Sequence, residues 1–132
     1  MKYADLDFSH HPHVIVRVNP IDPTEQQFEA YLEELTKVAH TMKNGVLIFE
    51  ISQAKFLPSE KRIKIGNWLK THAETVKKNM YGLCYVNNAF IPMTILKGIL
   101  LVNKPPVPYT VVSSASEALA WAKEKMAGDT RS

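Results

Sequence analysis

Asn44-Gly45 followed by Val46-Leu47-Ile48-Phe49-Glu50-Ile51 is the stretch from which the fold can be read. The run from Val46 is short, rich in β-branched residues and almost continuously apolar, which is the pattern of a central strand rather than of one with a wet face. Asn44-Gly45 suits a left-handed helix end immediately before it. Working backwards, Asp22-Pro23-Thr24-Glu25 offers an N-cap acid, a proline at the first helical position and a glutamate at the third. Phe28, Tyr31, Leu32, Leu35, Val38, Ala39 and Met42 then recur on one face, so an amphipathic helix leads into the buried strand. Further back, Val14 to Val18 is compact and β-branched and Tyr3 to Phe8 alternates, which predicts a hairpin turning near His10 to Pro12.

Forwards from the strand, a second helix is expected from Ser59 to Asn79, with Ile65, Trp68, Leu69, His72 and Val76 in one arc and Lys64, Lys70, Glu74, Lys77 and Lys78 outside it. Tyr81 to Val86 reads as a fourth strand, Pro92 to Val102 as a third helix, Pro108 to Val112 as a fifth strand and Ser116 to Met126 as a last helix. The order ββαβαβαβα predicts an α/β fold. Alternating strands and helices require crossover connections, hence a mixed sheet of about five strands flanked by helices on one or both faces. With 132 residues the chain makes a single domain over 1–132, with an ordered core at about 2–127 and a tail at 128–132.

Composition narrows the function. A hydrophobic share of 45% with 22% charged residues is that of a globular protein, not of a disordered one. The net charge of +3 is small, and no aromatic rings interleave the lysines of the second helix, so a nucleic-acid partner is not expected. One cysteine, Cys84, can form no internal disulfide, which fits a reducing cytoplasm. The opening residues carry Asp5 and Asp7 and no apolar core of a secretory signal. The greasy stretch from Ala89 to Val102 is broken by Pro92, Thr94, Lys97 and Gly98, too short and too interrupted for a transmembrane segment.

Catalytic templates are absent: the chain has no GxSxG elbow, no phosphate-cradling glycine loop and no HExxH. Glu50 ends the buried strand without an acid/base partner, Cys84 lies inside a strand pattern, and His72 falls on an apolar helix face as a core histidine would. His10-His11-Pro12-His13 lacks the local cysteine or paired carboxylates that would complete a metal set and reads as a solvated turn. No enzyme activity, no metal and no cofactor are expected.

The third helix is the least ordinary segment. Ile91, Met93, Ile95, Leu96, Ile99, Leu100, Leu101 and Val102 run almost all the way round its wheel. Leaving a few such side chains wet would forgo roughly 5 to 9 kcal/mol, comparable with the net stability of a domain. Self-association or a protein partner is the first expectation for what covers them, with Lys61, Arg62, Met93, Lys97, Leu100 and Leu101 as the partner surface. A lipid or other small apolar ligand is the alternative, held by Trp68, Ile95 and Ile99. Packing within the chain is the third.

The element order, the passage FEISQAKFLPSEKR and the ending PYTVVSSASEALAWAKEKM together resemble the STAS domain superfamily, in particular its SpoIIAA-like and SEC14-like branch of small stand-alone bacterial proteins. The resemblance covers most of the chain. It rests on Glu50-Ile51-Ser52 at the end of the buried strand, a helix carrying Arg62 and Trp68, and a final strand followed by Ser-Glu-Ala-Leu. It implies a cytoplasmic, non-enzymatic interaction or regulatory module. In the family's anti-sigma-factor antagonists a serine at the start of the helix after that strand is phosphorylated, and Ser59 falls at that place, with Pro58 where those proteins have an acid. The local alternative for Ser59 is a helix cap or first-turn residue. The SEC14-type relatives imply an apolar ligand, in a site that is shallow or shared across a dimer.

Overall fold

The structure, a computed structural model, describes residues 2–88 and 104–128. The chain opens with the expected hairpin, β1 (Ala4–Asp7) paired antiparallel with β2 (Val14–Val18). Then follow α1 (Glu25–Thr41), β3 (Gly45–Glu50), α2 (Ser59–Thr71), α3 (Ala73–Asn79), β4 (Met80–Val86), β5 (Tyr109–Val112) and α4 (Ala115–Gly128). The five strands lie in the sheet in chain order, with β2 to β5 all parallel. The molecule is therefore α/β with a five-stranded mixed sheet, and four helices fall among the described residues. The expected helix over Pro92 to Val102 lies outside the described residues.

Strand alternation divides the core in two. Val14, Val16, Val18, Leu47 and Leu83 point to the face covered by α1 and α3, whose Phe28, Tyr31, Leu35, Val38, Ala39 and Val76 are buried there. Ile15, Val46, Ile48, Cys84 and Val86 point to the other face, against α4. That helix presents Ala118 and Ala122, both 0% exposed, and such small side chains let its backbone come close to β3 and β4. β3 is accordingly buried on both sides, as its composition predicts.

Three local readings are corrected. The cap of α1 is Thr24 rather than Asp22: its hydroxyl accepts from the Gln27 N–H while the Gln27 side chain accepts from the Thr24 N–H, a closed capping box. Asn44 alone is left-handed, with φ 59°, and Gly45 already belongs to β3. Glycine is needed there for a different reason, since a Cβ would run into the backbone carbonyl of Pro12. The second helix is broken at His72, whose φ of −105° and ψ of 15° leave helical geometry. Its apolar arc is shared between α2, where Ile65, Trp68 and Leu69 are half-buried, and α3, where Val76 is 1% exposed. α3 is pinned to α1 by Asn79, whose Nδ2 donates to the Ala39 carbonyl at 2.7 Å. α2 is free to stand off the sheet.

Candidate functional site

The gap between α2 and the sheet is an apolar cavity of about 220 Å³. Its floor is the side of the sheet that carries Leu47 and Phe49 of β3 and Leu83 and Tyr85 of β4. Tyr31 and Leu35 of α1 form one wall, and Ile65, Trp68 and Leu69 of α2 form the roof. The loop from Ile51 to Leu57 closes one side with Ala54, Phe56 and Leu57, and among the described residues the lining also includes Lys55, Arg62, Asn87 and the tyrosines Tyr3, Tyr31 and Tyr85. Phe49 and Tyr85 stack with ring centroids 5.4 Å apart and planes at 15°, so neighbouring parallel strands lay a flat aromatic surface under the space.

α2 is held over this space by Ile65, Trp68 and Leu69, half-buried against the core, and by polar ties at its margins. The Trp68 Nε1–H donates to Thr36 Oγ1 at 2.9 Å. Lys64 bridges Glu25 and Glu29 of α1 at 3.2 and 3.0 Å, and Lys61 lies 3.6 Å from Glu25 and 3.5 Å from Glu60. At the start of the helix the Arg62 guanidinium lies 4.8 Å over the Phe56 ring, with Nε donating to the Leu57 carbonyl at 3.1 Å and Nη2 to Ser59 Oγ at 3.3 Å. The exposed ion pairs among these ties contribute little stability each.

The expected partner and ligand residues separate accordingly. Trp68, expected in an apolar-ligand site together with Ile95 and Ile99, lines this cavity from α2. Arg62 also reaches the cavity, at its polar margin. Lys61 departs from the partner-surface expectation: only 10% of its side chain is exposed, with its amine turned to Glu25 of α1 at 3.6 Å. Ser59 is exposed at the first turn of α2 and does not cap it, the cap position being Pro58 with no side-chain bond. Met93, Ile95, Lys97, Ile99, Leu100 and Leu101 lie outside the described residues.

The histidine turn is only partly solvated. His13 is 8% exposed and its Nδ1 accepts from the Val46 N–H at 3.0 Å, tying the hairpin to β3. Burial, and then the neighbouring His10 and His11, pull its pKa below the ordinary histidine value. Among the described residues no three metal-ligating side chains come together. Glu50 accepts from the Ser52 N–H at 2.8 Å and Ser52 Oγ accepts from the Asn88 N–H at 3.1 Å, while the His72 ring rests 4.8 Å from that of Trp68. None of the three lines the cavity. The Cys84 thiol is fully buried on the opposite face and pushed up to about 11 by that burial.

Sequence reasoning missed Tyr31 and Tyr85 as cavity-lining residues. Burial pushes both phenols far above their ordinary range, and Tyr3 up to about 12. Their helix and strand periodicities marked them as core, and nothing local signalled that the core would be left open beside them. No protein-family model matches the chain, and no curated protein matches it in sequence. No described helix is long and apolar enough to cross a membrane.

Proposed function

We propose that this protein is a non-enzymatic binding module of STAS-like fold that carries or senses a small apolar molecule, held between α2 and the sheet. The observation that supports this most is the cavity: an apolar space of about 220 Å³, roofed by a helix attached at its edges. A dry apolar cavity of about 150 Å³ already accepts benzene, so this one suits a ring-sized ligand rather than a long acyl chain. The reading also draws on the resemblance to STAS domains, with which an α/β fold built on a five-stranded mixed sheet is compatible, and a single buried cysteine fits a reducing cytoplasm.

Native mass spectrometry of freshly purified protein, with thermal melts against a series of small apolar compounds, tests this. A bound mass or a rise in Tm is expected. No adduct, and a Tm indifferent to every compound, would remove the proposal.

A second reading, an interaction or regulatory module, is favoured by the outer side of the same region, where Phe56 and Ile63 are 61% and 60% exposed and Ser59 is accessible. Sedimentation of the wild type beside Ile63→Asp tests it: association lost in a still-folded variant supports a partner surface, and an unchanged monomer argues against one.

A further inference from the structure

The charge around the cavity is one-sided. Lys55 and Arg62 are the charged residues of its lining among the described residues, and both are cations. They differ in how they are matched. Lys55 is exposed and lies 3.4 Å from Asp22. Arg62 is half-buried and, among the described residues, pairs with no carboxylate, whereas Lys61 and Lys64 on the same helix both reach Glu25. A cation that loses part of its water without gaining a counter-charge costs free energy.

The position of the guanidinium follows from its contacts. Nε donates to the Leu57 carbonyl at 3.1 Å, Nη2 donates to Ser59 Oγ at 3.3 Å, and Cζ lies 4.8 Å over the Phe56 ring. Phe56 and Leu57 themselves line the cavity, and Phe56 is 61% exposed, so this is where the cavity meets solvent. The contacts hold the planar fork in place and leave Nη1 without an acceptor among the described residues. A fixed guanidinium with open N–H donors suits a carboxylate, and one unmatched cation balances a monoanion better than a phosphate dianion. At the mouth such a head group keeps contact with water, which spares it the desolvation of a charge driven into hydrocarbon. Its body has the apolar space of about 220 Å³ behind it.

We infer that the ligand is an organic acid, with a ring-sized apolar body inside the cavity and a carboxylate at its mouth, paired with Arg62. This rests on the reading of the cavity as a ligand site.

The test uses benzoate, phenylacetate and 3-phenylpropionate, which set the carboxylate at increasing distance from the ring, each beside its neutral amide. They are titrated calorimetrically at neutral pH into the wild type, Arg62→Met, Arg62→Lys and Lys55→Met. In the wild type at least one acid should bind more tightly than its amide. That preference should fall about tenfold in Arg62→Met, the loss expected of a charge-assisted pair, and by less in Arg62→Lys, which keeps the charge without the fork. Lys55→Met should retain most of it, and the amides should bind all four proteins alike. The wild-type comparison and Arg62→Lys decide the matter even where Arg62→Met does not fold. Amides that bind as tightly as the acids, or an acid preference undiminished in the Arg62 variants, overturn this inference while leaving the cavity as a ligand site. No binding of any probe to the wild type overturns both.

Discussion

Filling the cavity from the protein side separates a ligand site from a packing defect. Ala54 lies in the loop between β3 and α2, lines the cavity and is half-buried, with its N–H donating to the Ile51 carbonyl at 3.1 Å. Leucine at this position would extend into the cavity without touching the hydrogen-bonded backbone. At about 0.8 kcal/mol per buried carbon the added isopropyl group gains roughly 2 kcal/mol, and fixing its rotamers returns about 0.5 to 1 kcal/mol. Ala54→Leu should therefore stabilise the ligand-free protein by about 1 kcal/mol, which for a chain of 132 residues is a rise of about 4 °C in Tm. The ligand response should move the other way. A small apolar ligand at about a hundred times its Kd stabilises the wild type by about 2.7 kcal/mol, or about 10 °C, and most of that shift should vanish in the variant. Differential scanning calorimetry with and without acetophenone reads both effects. A variant that melts lower than the wild type, yet responds to the ligand undiminished, would refute the argument that this space is where apolar molecules bind.

Stability should also depend on pH through His13. Its pKa is lower folded than unfolded, so the unfolded chain binds the proton first; stability is complete above about 6.5, the ordinary histidine value, and falls as the pH drops below it. Urea midpoints between pH 7.5 and pH 5, roughly the window set by that value, should show this slope in the wild type and a flatter one in His13→Ala. Gly45→Ala forces a Cβ onto the Pro12 carbonyl and should cost at least about 2 kcal/mol in urea unfolding; a loss under about 0.5 kcal/mol would mean the hairpin turn shifts freely. Cys84, buried and with its thiol pushed up to about 11, should resist a thiol reagent in native protein and react only as fast as the fold opens. Immediate labelling would contradict the packing of α4 on the sheet.

Among the described residues, the sequence by itself determined the strands, the first and last helices, and most of their faces. Val46 to Ile48 had to be central because no position in that run tolerates water, and the spacing of Phe28, Tyr31, Leu35, Val38 and Ala39 set the buried side of α1. Periodicity reports how a residue stands relative to its own helix or strand, so it served well wherever an element packs fully against a neighbour. It failed where packing is incomplete. Ile65, Trp68 and Leu69 share an arc with Val76, yet only Val76 is closely packed, because the chain departs from helical geometry at His72 and α2 rides above the sheet on ties to Thr36, Glu25 and Glu29. Likewise, Lys61 looked like a solvent residue until a carboxylate on another helix gave it a reason to lie across the interior. The cavity exists only as the distance between elements far apart in the chain, a quantity that tertiary structure alone decides.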